Sequence, residues 1–224
     1  MSRSVKTNIQ CSECGHTHLL NIWHSVNATV DPSLKDSLLK RELNMRRCHC
    51  GKEVEVAQDL LYHDMDAAFQ VWLKYPDEDG TITLQGPALE LASTVMPHYR
   101  LRIVNSRNQL IEKIRIFDDG LDDRIIEVIK FLLWGKIGGD MEPSEDRLFY
   151  AKFLKRRIRK SQLAFVLLDD DNNETMHGID WKSVYLLTRE RVLDLKAPLL
   201  RDEGIWRPVG QQYALKLGEA LTRS

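Results

Sequence analysis

Cys11-Ser12-Glu13-Cys14-Gly15 and its shorter counterpart Cys48-His49-Cys50-Gly51 are the stretches on which the reading of this chain turns. Two cysteines separated by a pair of residues let one turn of backbone present both sulfurs to the same ion. A glycine after the second cysteine permits the left-handed turn that aims backbone N–H groups at those sulfurs. The second stretch is one residue tighter, yet its two sulfurs can still meet one tetrahedral ion. Together they use all 4 cysteines of the protein. Zinc takes soft ligands in a closed tetrahedron and has no redox chemistry, so Zn2+ is the expected metal for Cys11, Cys14, Cys48 and Cys50. Four thiolates leave no position for a reacting water, and the zinc is therefore expected to be structural. An iron–sulfur cluster and a redox dithiol are the competing chemistries. His16, His18 and His49 stand close enough to replace a ligand. Beside a complete cysteine set they read as solvated, and His49 is expected to point away from the ion.

The wider composition is that of a soluble globular protein: 224 residues, 43% hydrophobic and 29% charged. A formal net charge of −1 argues against a chain that coats nucleic acid or an anionic membrane through bulk attraction. No apolar stretch resembles a secretory signal or a membrane span, since the run Ile125 to Trp134 is short and broken by Glu127 and Lys130. A cytoplasmic protein is expected, a setting in which paired cysteines favour metal over disulfide.

Outward from the cysteines, residues 5–10 and 17–24 read as strands around the first turn. Asp31-Pro32 signals a helix running to Glu42, with the proline at its first position. Residues 43–47 and 52–58 read as strands flanking the second turn, and Phe69, Val71 and Leu73 as another strand. Ser106 with Gln109 has the spacing of a capping box and starts a helix carrying Leu110, Ile111, Ile114 and Phe117. A second helix after Gly120 carries Leu121, Ile125, Val128, Ile129, Leu132 and Leu133, with Asp122 and Asp123 in its first turn. Gly138-Gly139 and Pro143 mark the expected domain boundary. Beyond it, residues 163–168 and 174–179 read as a hairpin, Asp180 as the cap of a helix over 181–195, and residues 209–221 as a last helix. The expected class is α+β: a zinc-ribbon β lobe at about 8–76 and a mainly helical part at 86–137 form one domain, 8–137, followed by a small α+β unit at 144–224.

Several separated motifs add a resemblance. Cys11-x-x-Cys14-Gly15, Asn27-Ala-Thr-Val-Asp31-Pro32, Leu61-Tyr62-His63-Asp64-Met65, Arg102-Ile-Val, Glu112-Lys113-Ile114 and Phe117-Asp118-Asp119-Gly120-Leu121-Asp122-Asp123 together resemble the CpXC domain, over roughly residues 9–135. That family is named for two Cys-Pro-x-Cys motifs. Here Ser12 stands in place of the first proline, and the second motif has lost a residue, leaving Cys48-His49-Cys50. The resemblance implies the four-cysteine, zinc-ribbon-like fold and no reaction.

Three other constellations carry chemistry in principle. Asp118, Asp119, Asp122, Asp123 and Glu127 have the composition of a magnesium site, but no base or nucleophile accompanies them, and acids at a helix start also complement its dipole. Asp169, Asp171, Asn173 and Asp180 match part of a calcium loop, but Glu174 stands where the turn needs glycine. Lys155, Arg156, Arg157, Arg159 and Lys160 form a basic run preceded by Phe149, Tyr150 and Phe153, a pattern able to track a phosphate backbone and offer a stacking face. Tyr62-His63-Asp64 suggests a catalytic pair, but neighbours on a strand point to opposite faces. The leading expectation is a non-enzymatic, zinc-binding interaction or adaptor protein whose partner is another protein. A nucleic-acid-binding or transcription-associated ribbon protein is the alternative, and a metal-dependent enzyme using the acidic cluster the third.

Overall fold

The computed structural model describes every residue except 79–81, 83–96, 140–143, 145, 158–159, 172, 197–199, 202–203 and 224. It is α+β, as expected, and divides into two compact units: Met1–Asn105 with Gly204–Trp206, and Ser106–Glu203 with Arg207–Ser224.

In the first unit, strands β1 (Arg3–Gln10), β2 (Thr17–Asn27), β5 (Leu60–Asp64), β6 (Phe69–Leu73) and β7 (Arg100–Val104) lie side by side in that order. The β1–β2 and β5–β6 pairs are antiparallel, and the β2–β5 and β6–β7 pairs are parallel. Alternation along the strands sends Leu60, Tyr62, Phe69, Val71, Leu73, Leu101 and Ile103 into the core, where Tyr62 stacks on Phe69 at 5.6 Å. Helix α1 (Pro32–Leu39) starts at its proline, but the Asp31 side chain makes no capping bond. It stops short of Glu42 because Arg41 turns left-handed (φ +63°), and the Glu42 N–H donates back to Ser37 O at 2.8 Å.

One feature of this sheet matters for the cysteines. β2 pairs with β5 only over Ser25–Asn27. Its outer half projects beyond β5 as a two-stranded ribbon with β1, whose residues are exposed almost throughout. The short hairpin of β3 (Met45–Arg47) and β4 (Glu53–Glu55) carries the second cysteine pair.

The second unit holds helices α2 (Arg107–Asp118) and α3 (Asp123–Ile137) and the antiparallel sheet β8 (Leu148–Leu154), β9 (Gln162–Leu168) and β10 (Glu174–Asp180), in the order β10-β9-β8. A turn of π-helix (Trp181–Leu186) continues as α4 (Leu187–Asp194), and α5 (Gln211–Arg223) ends the chain's regular structure. The expected caps are in place. Ser106 Oγ accepts the Gln109 N–H at 3.3 Å, and the Asp180 side chain accepts the Ser183 N–H at 2.7 Å.

The units part between Asn105 and Ser106, so the expected domain over 8–137 contributes to both, and the expected break contains residues 140–143, outside the described set. The start of the expected helical part, at 86, also falls outside the described residues. Within the second unit, a buried charge network ties α2 and α3 to β8. Lys113 Nζ lies 2.8 Å from Glu127 and 3.3 Å from Asp123, and Lys130 Nζ lies 2.9 Å from Glu112 and 3.3 Å from Glu127. Glu112 also accepts the backbone N–H of Tyr150 at 2.6 Å. All five charged residues are more than nine-tenths buried. Burial alone would neutralise the two ammonium groups, but the surrounding carboxylates outweigh it and hold both lysines raised above their ordinary value. Burial likewise pushes Glu127 upward, and Lys113 and Lys130 overcome it and hold the carboxyl below the usual range.

Breaking such a network leaves charge in a dry interior, which is more damaging than never having built it. Glu127→Ala removes the carboxylate shared by Lys113 and Lys130. The variant is expected to lose about 3 kcal/mol of stability in urea unfolding of the second unit, and an unfolding curve identical to wild type would refute the role given to the network.

Candidate metal centre

The first cysteine pair sits where the β1–β2 ladder runs out. Gln10 pairs with Thr17, and beyond them the Cys11 N–H donates to His16 O at 2.8 Å and the Gly15 N–H to Cys11 O at 2.9 Å. Gly15 adopts φ +72°, the left-handed geometry its position called for. The second pair repeats the arrangement one residue tighter. Arg47 pairs with Glu53, the Cys48 N–H donates to Lys52 O at 2.8 Å, and Gly51 (φ +91°) donates to Cys48 O at 3.0 Å. Each half is a hairpin turn whose hydrogen bonds turn two sulfurs to one side.

The halves interleave. Cys11 Sγ lies 3.7 Å from Cys50 Sγ and Cys14 Sγ 3.5 Å from Cys48 Sγ, and all four sulfurs fall within 4.8 Å of one another. A tetrahedron of thiolates at the ordinary zinc–sulfur length of ~2.3 Å has edges of about 3.8 Å. The donor set therefore fits one tetrahedral thiophilic ion, whereas a disulfide would bring two sulfurs to about 2.05 Å. Cys11 and Cys48 are buried against Val54 and Ile9, while Cys14 and Cys50 face solvent.

Asn44 fastens the two halves together. Where β2 has outrun β5, the Asn44 Oδ1 accepts the Trp23 N–H at 2.7 Å and its Nδ2 donates to Trp23 O at 2.9 Å. One side-chain amide thus replaces a missing neighbouring strand. The Asn44 main-chain carbonyl accepts the Val56 N–H at 3.0 Å and closes the base of the β3–β4 hairpin. Asn44 is buried and left-handed (φ +55°), a conformation asparagine tolerates better than most residues. Sequence reading missed it because nothing in the chain announces which backbone a buried amide will meet.

Without a cation the four thiols cannot all ionise. Backbone N–H groups of Cys14 and Glu13 bring Cys11 down to about 7. For Cys14 the amide of His16 also favours the thiolate, but burial and the neighbouring sulfurs outweigh it and push the thiol up to about 12. Cys50 is raised as well. The first charge forms near neutrality and opposes those that follow. A divalent ion reverses that opposition.

The histidines do not join the sulfur cluster. His16 packs edge-on to His18 at 4.7 Å and to His49 at 4.8 Å. His49 departs from expectation, because its Nδ1 lies 3.6 Å from Cys48 Sγ and does not turn away from the cluster.

The other constellations separate once folded. Asp123 and Glu127 are held by Lys113. Asp122 caps α3 through the Arg124 N–H at 3.0 Å, and Asp119 accepts the Tyr150 hydroxyl at 2.7 Å and the Phe153 N–H at 3.1 Å. Asp118, on the surface, joins no such site. Among the described residues only the four cysteines form a metal-competent group, and these acids do not converge on one. Asp169 accepts the Asp171 and Asn173 N–H groups at 2.9 and 2.8 Å and closes a hairpin tip, not a calcium loop. Tyr62 and Asp64 face one side of β5 and His63 the other, where its Nε2 lies 3.4 Å from the Tyr99 hydroxyl. Lys155, Arg156, Arg157 and Lys160 are exposed on the β8–β9 connection, and Arg159 lies outside the described residues. Phe149 and Tyr150 are buried in β8 and offer no stacking face. Among the described residues, no helix is long and apolar enough to cross a membrane.

Asn44→Ala strips the Trp23 backbone of both partners, a loss of about 1–3 kcal/mol. It is expected to weaken metal affinity by on the order of tenfold in competition with a chromophoric chelator, while Asn44→Asp, which keeps the acceptor, loses less. Equal affinity in Asn44→Ala and wild type would remove Asn44 from the centre's supporting structure.

Compared with known proteins, residues 9–130 match the family model described as CpXC protein, which takes in both cysteine pairs. No curated protein and no solved structure matches. The match covers more than half of the chain, and with the clustering of its four cysteines it settles the kinship: the chain belongs to the CpXC family.

Proposed function

We propose that this is a non-enzymatic, zinc-stabilised interaction protein, in which Cys11, Cys14, Cys48 and Cys50 hold one structural Zn2+ and the folded ribbon docks another macromolecule. The convergence of four sulfurs from two hairpin turns, at near-tetrahedral separations, carries the reading. Zinc is favoured by an all-thiolate set of this size, and four ligands complete its shell and leave no place for a substrate or a reacting water. The residues that would hold the ion are themselves most of the ribbon tip's small core, with Val54 and Ile9 the apolar remainder. Such a tip depends on its ion for folding, with binding energies on the order of 10 kcal/mol in finger peptides. The exposed strand β1 and the exposed Cys14–Cys50 side supply surface for a partner.

Purified protein is expected to carry about one equivalent of zinc. Cys11→Ser is expected to lose it together with the ribbon's protection from proteolysis. Metal-free protein that melts like the loaded form would overturn the reading. The pH dependence follows from the thiols. Cys14, at about 12 without the ion, must give up its proton when metal binds near neutrality. Binding therefore releases protons, and affinity falls as pH is lowered. A chelator-competition titration that shows no pH dependence between neutral and mildly acidic solution would contradict thiolate ligation.

A further inference from the structure

The second unit concentrates positive charge at one end of its sheet, and the fold adds to the basic run a cation that is distant in sequence. The strand registers align Leu154, Gln162 and Asp180 at that end. From it emerge both the β8–β9 connection, with Lys155, Arg156, Arg157 and Lys160, and the start of the π-helical turn, with Trp181 and Lys182. The Trp181 N–H donates to Ser161 O at 3.0 Å and fastens the two segments side by side. Between them opens a slot of about 540 Å³, with Lys160 and Lys182 on its rim and Trp181, Ser183 and Leu187 among its walls.

These cations are poorly compensated. Among the described residues Asp180 is the one carboxylate lining the slot; its Oδ1 accepts the Ser183 N–H and hydroxyl, and its Oδ2 lies 3.8 Å from Lys160. Lys155 rests 5.5 Å from the Phe153 ring centroid. Among the described residues Lys155, Arg156, Arg157 and Lys182 make no ion pair. A single-sign patch repels itself and lowers stability unless something anionic shares it. In a chain with net charge −1 the patch is not a by-product of a basic composition.

We propose that this end of the second unit binds single-stranded nucleic acid, with Lys160 and Lys182 at the slot and Lys155, Arg156 and Arg157 on the adjoining β8–β9 connection contacting successive phosphates. The slot selects a strand over a flat anionic surface because it is concave and has an apolar wall. Tyr185 stacks on Trp181 at 4.4 Å and Phe153 packs tilted against it at 4.7 Å, and the exposed Leu187 adds apolar surface that a base could meet. A single strand can turn a base inward while its phosphates meet the rim, which a duplex cannot do without unpairing. The inference rests on the second unit and is independent of zinc in the ribbon.

The test is fluorescence anisotropy of a short labelled mixed-sequence single strand titrated with the intact, metal-loaded chain. With four or five phosphate contacts, a single strand gives a log–log salt slope of about −3, so affinity should fall roughly 60-fold between ~50 and ~200 mM salt. Lys182→Ala should weaken binding about fivefold near 100 mM salt and reduce the slope by about 0.7, and Arg156→Ala should do the same. Both sites are exposed, and an unchanged thermal melt confirms that the fold is intact. Absence of saturable binding at low salt, or a Lys182→Ala protein indistinguishable from wild type, would overturn the proposal. So would a duplex of the same sequence, or polyglutamate at equal charge, binding as tightly. Binding that survives in Cys11→Ser while zinc is lost would separate this site from the ribbon.

Discussion

Four sulfur atoms within 4.8 Å of one another repel as soon as they ionise, and the architecture of the ribbon answers that repulsion. The tip has little else to hold it: Ile9 and Val54 beside Cys11 and Cys48 make a core too small to oppose several buried charges. Hydrogen bonds therefore do the placing. The β1–β2 ladder and the β3–β4 hairpin aim each pair of sulfurs, and the Asn44 amide keeps the two hairpins in register where no strand is available. Placement does not neutralise charge, and only a cation among the four sulfurs would complete what the hydrogen bonds prepare. The spread between Cys11, near 7, and Cys14, near 12, expresses that incompleteness in the metal-free set.

The second unit solves the converse problem with covalently attached cations. Glu112, Asp123 and Glu127 are almost fully buried, yet Lys113 and Lys130 reach them from the same two helices. Of the acids that invite a metal-site reading, Asp123 and Glu127 are thus already paired from within. An acidic cluster counted along the chain omits the lysines that folding brings to it, and this omission makes such clusters misleading. Lys113 sits on α2, ten residues before Asp123, and only the packing of α2 on α3 shows that they share a site.

Legibility in the sequence follows the range of the interaction that decides each feature. Local rules made the cysteine turns, the Ser106 and Asp180 caps, the β9–β10 hairpin and the two amphipathic helices readable, because each depends on residues within a few positions. Strand β8 escaped because its aromatics run directly into Lys155-Arg156-Arg157, and the charge drew attention from the buried Phe149 and Tyr150. Glycines and a proline drew the boundary toward residue 138, although glycine marks a helix end as readily as a domain end. Within the second unit, Glu112 meets the backbone of Tyr150, a contact without a local signature. Asn44 and Lys182 belong to the same class: each acquires its role from a segment about twenty residues away, Trp23 for one and Ser161 with Lys160 for the other.

The shortened second turn bears most directly on what the centre can do. Losing one residue between cysteines opens a coordination site only if the remaining sulfur is drawn out of reach. Here the closing hydrogen bond shortens in step: Cys11 N–H reaches His16 O, whereas Cys48 N–H reaches Lys52 O, one position nearer. The hairpin contracts as a whole, and Cys50 still arrives 3.7 Å from Cys11 while Cys48 stands 3.5 Å from Cys14. His49, displaced sideways by the tighter turn, ends beside the Cys48 sulfur as a neighbour of the ligand. The four sulfurs therefore still converge in spite of the shorter spacing, and a closed set of four thiolates around one ion would leave no position for a reacting water. The shorter hairpin thus keeps the same convergence of sulfurs by contracting as a unit, not by giving up a ligand.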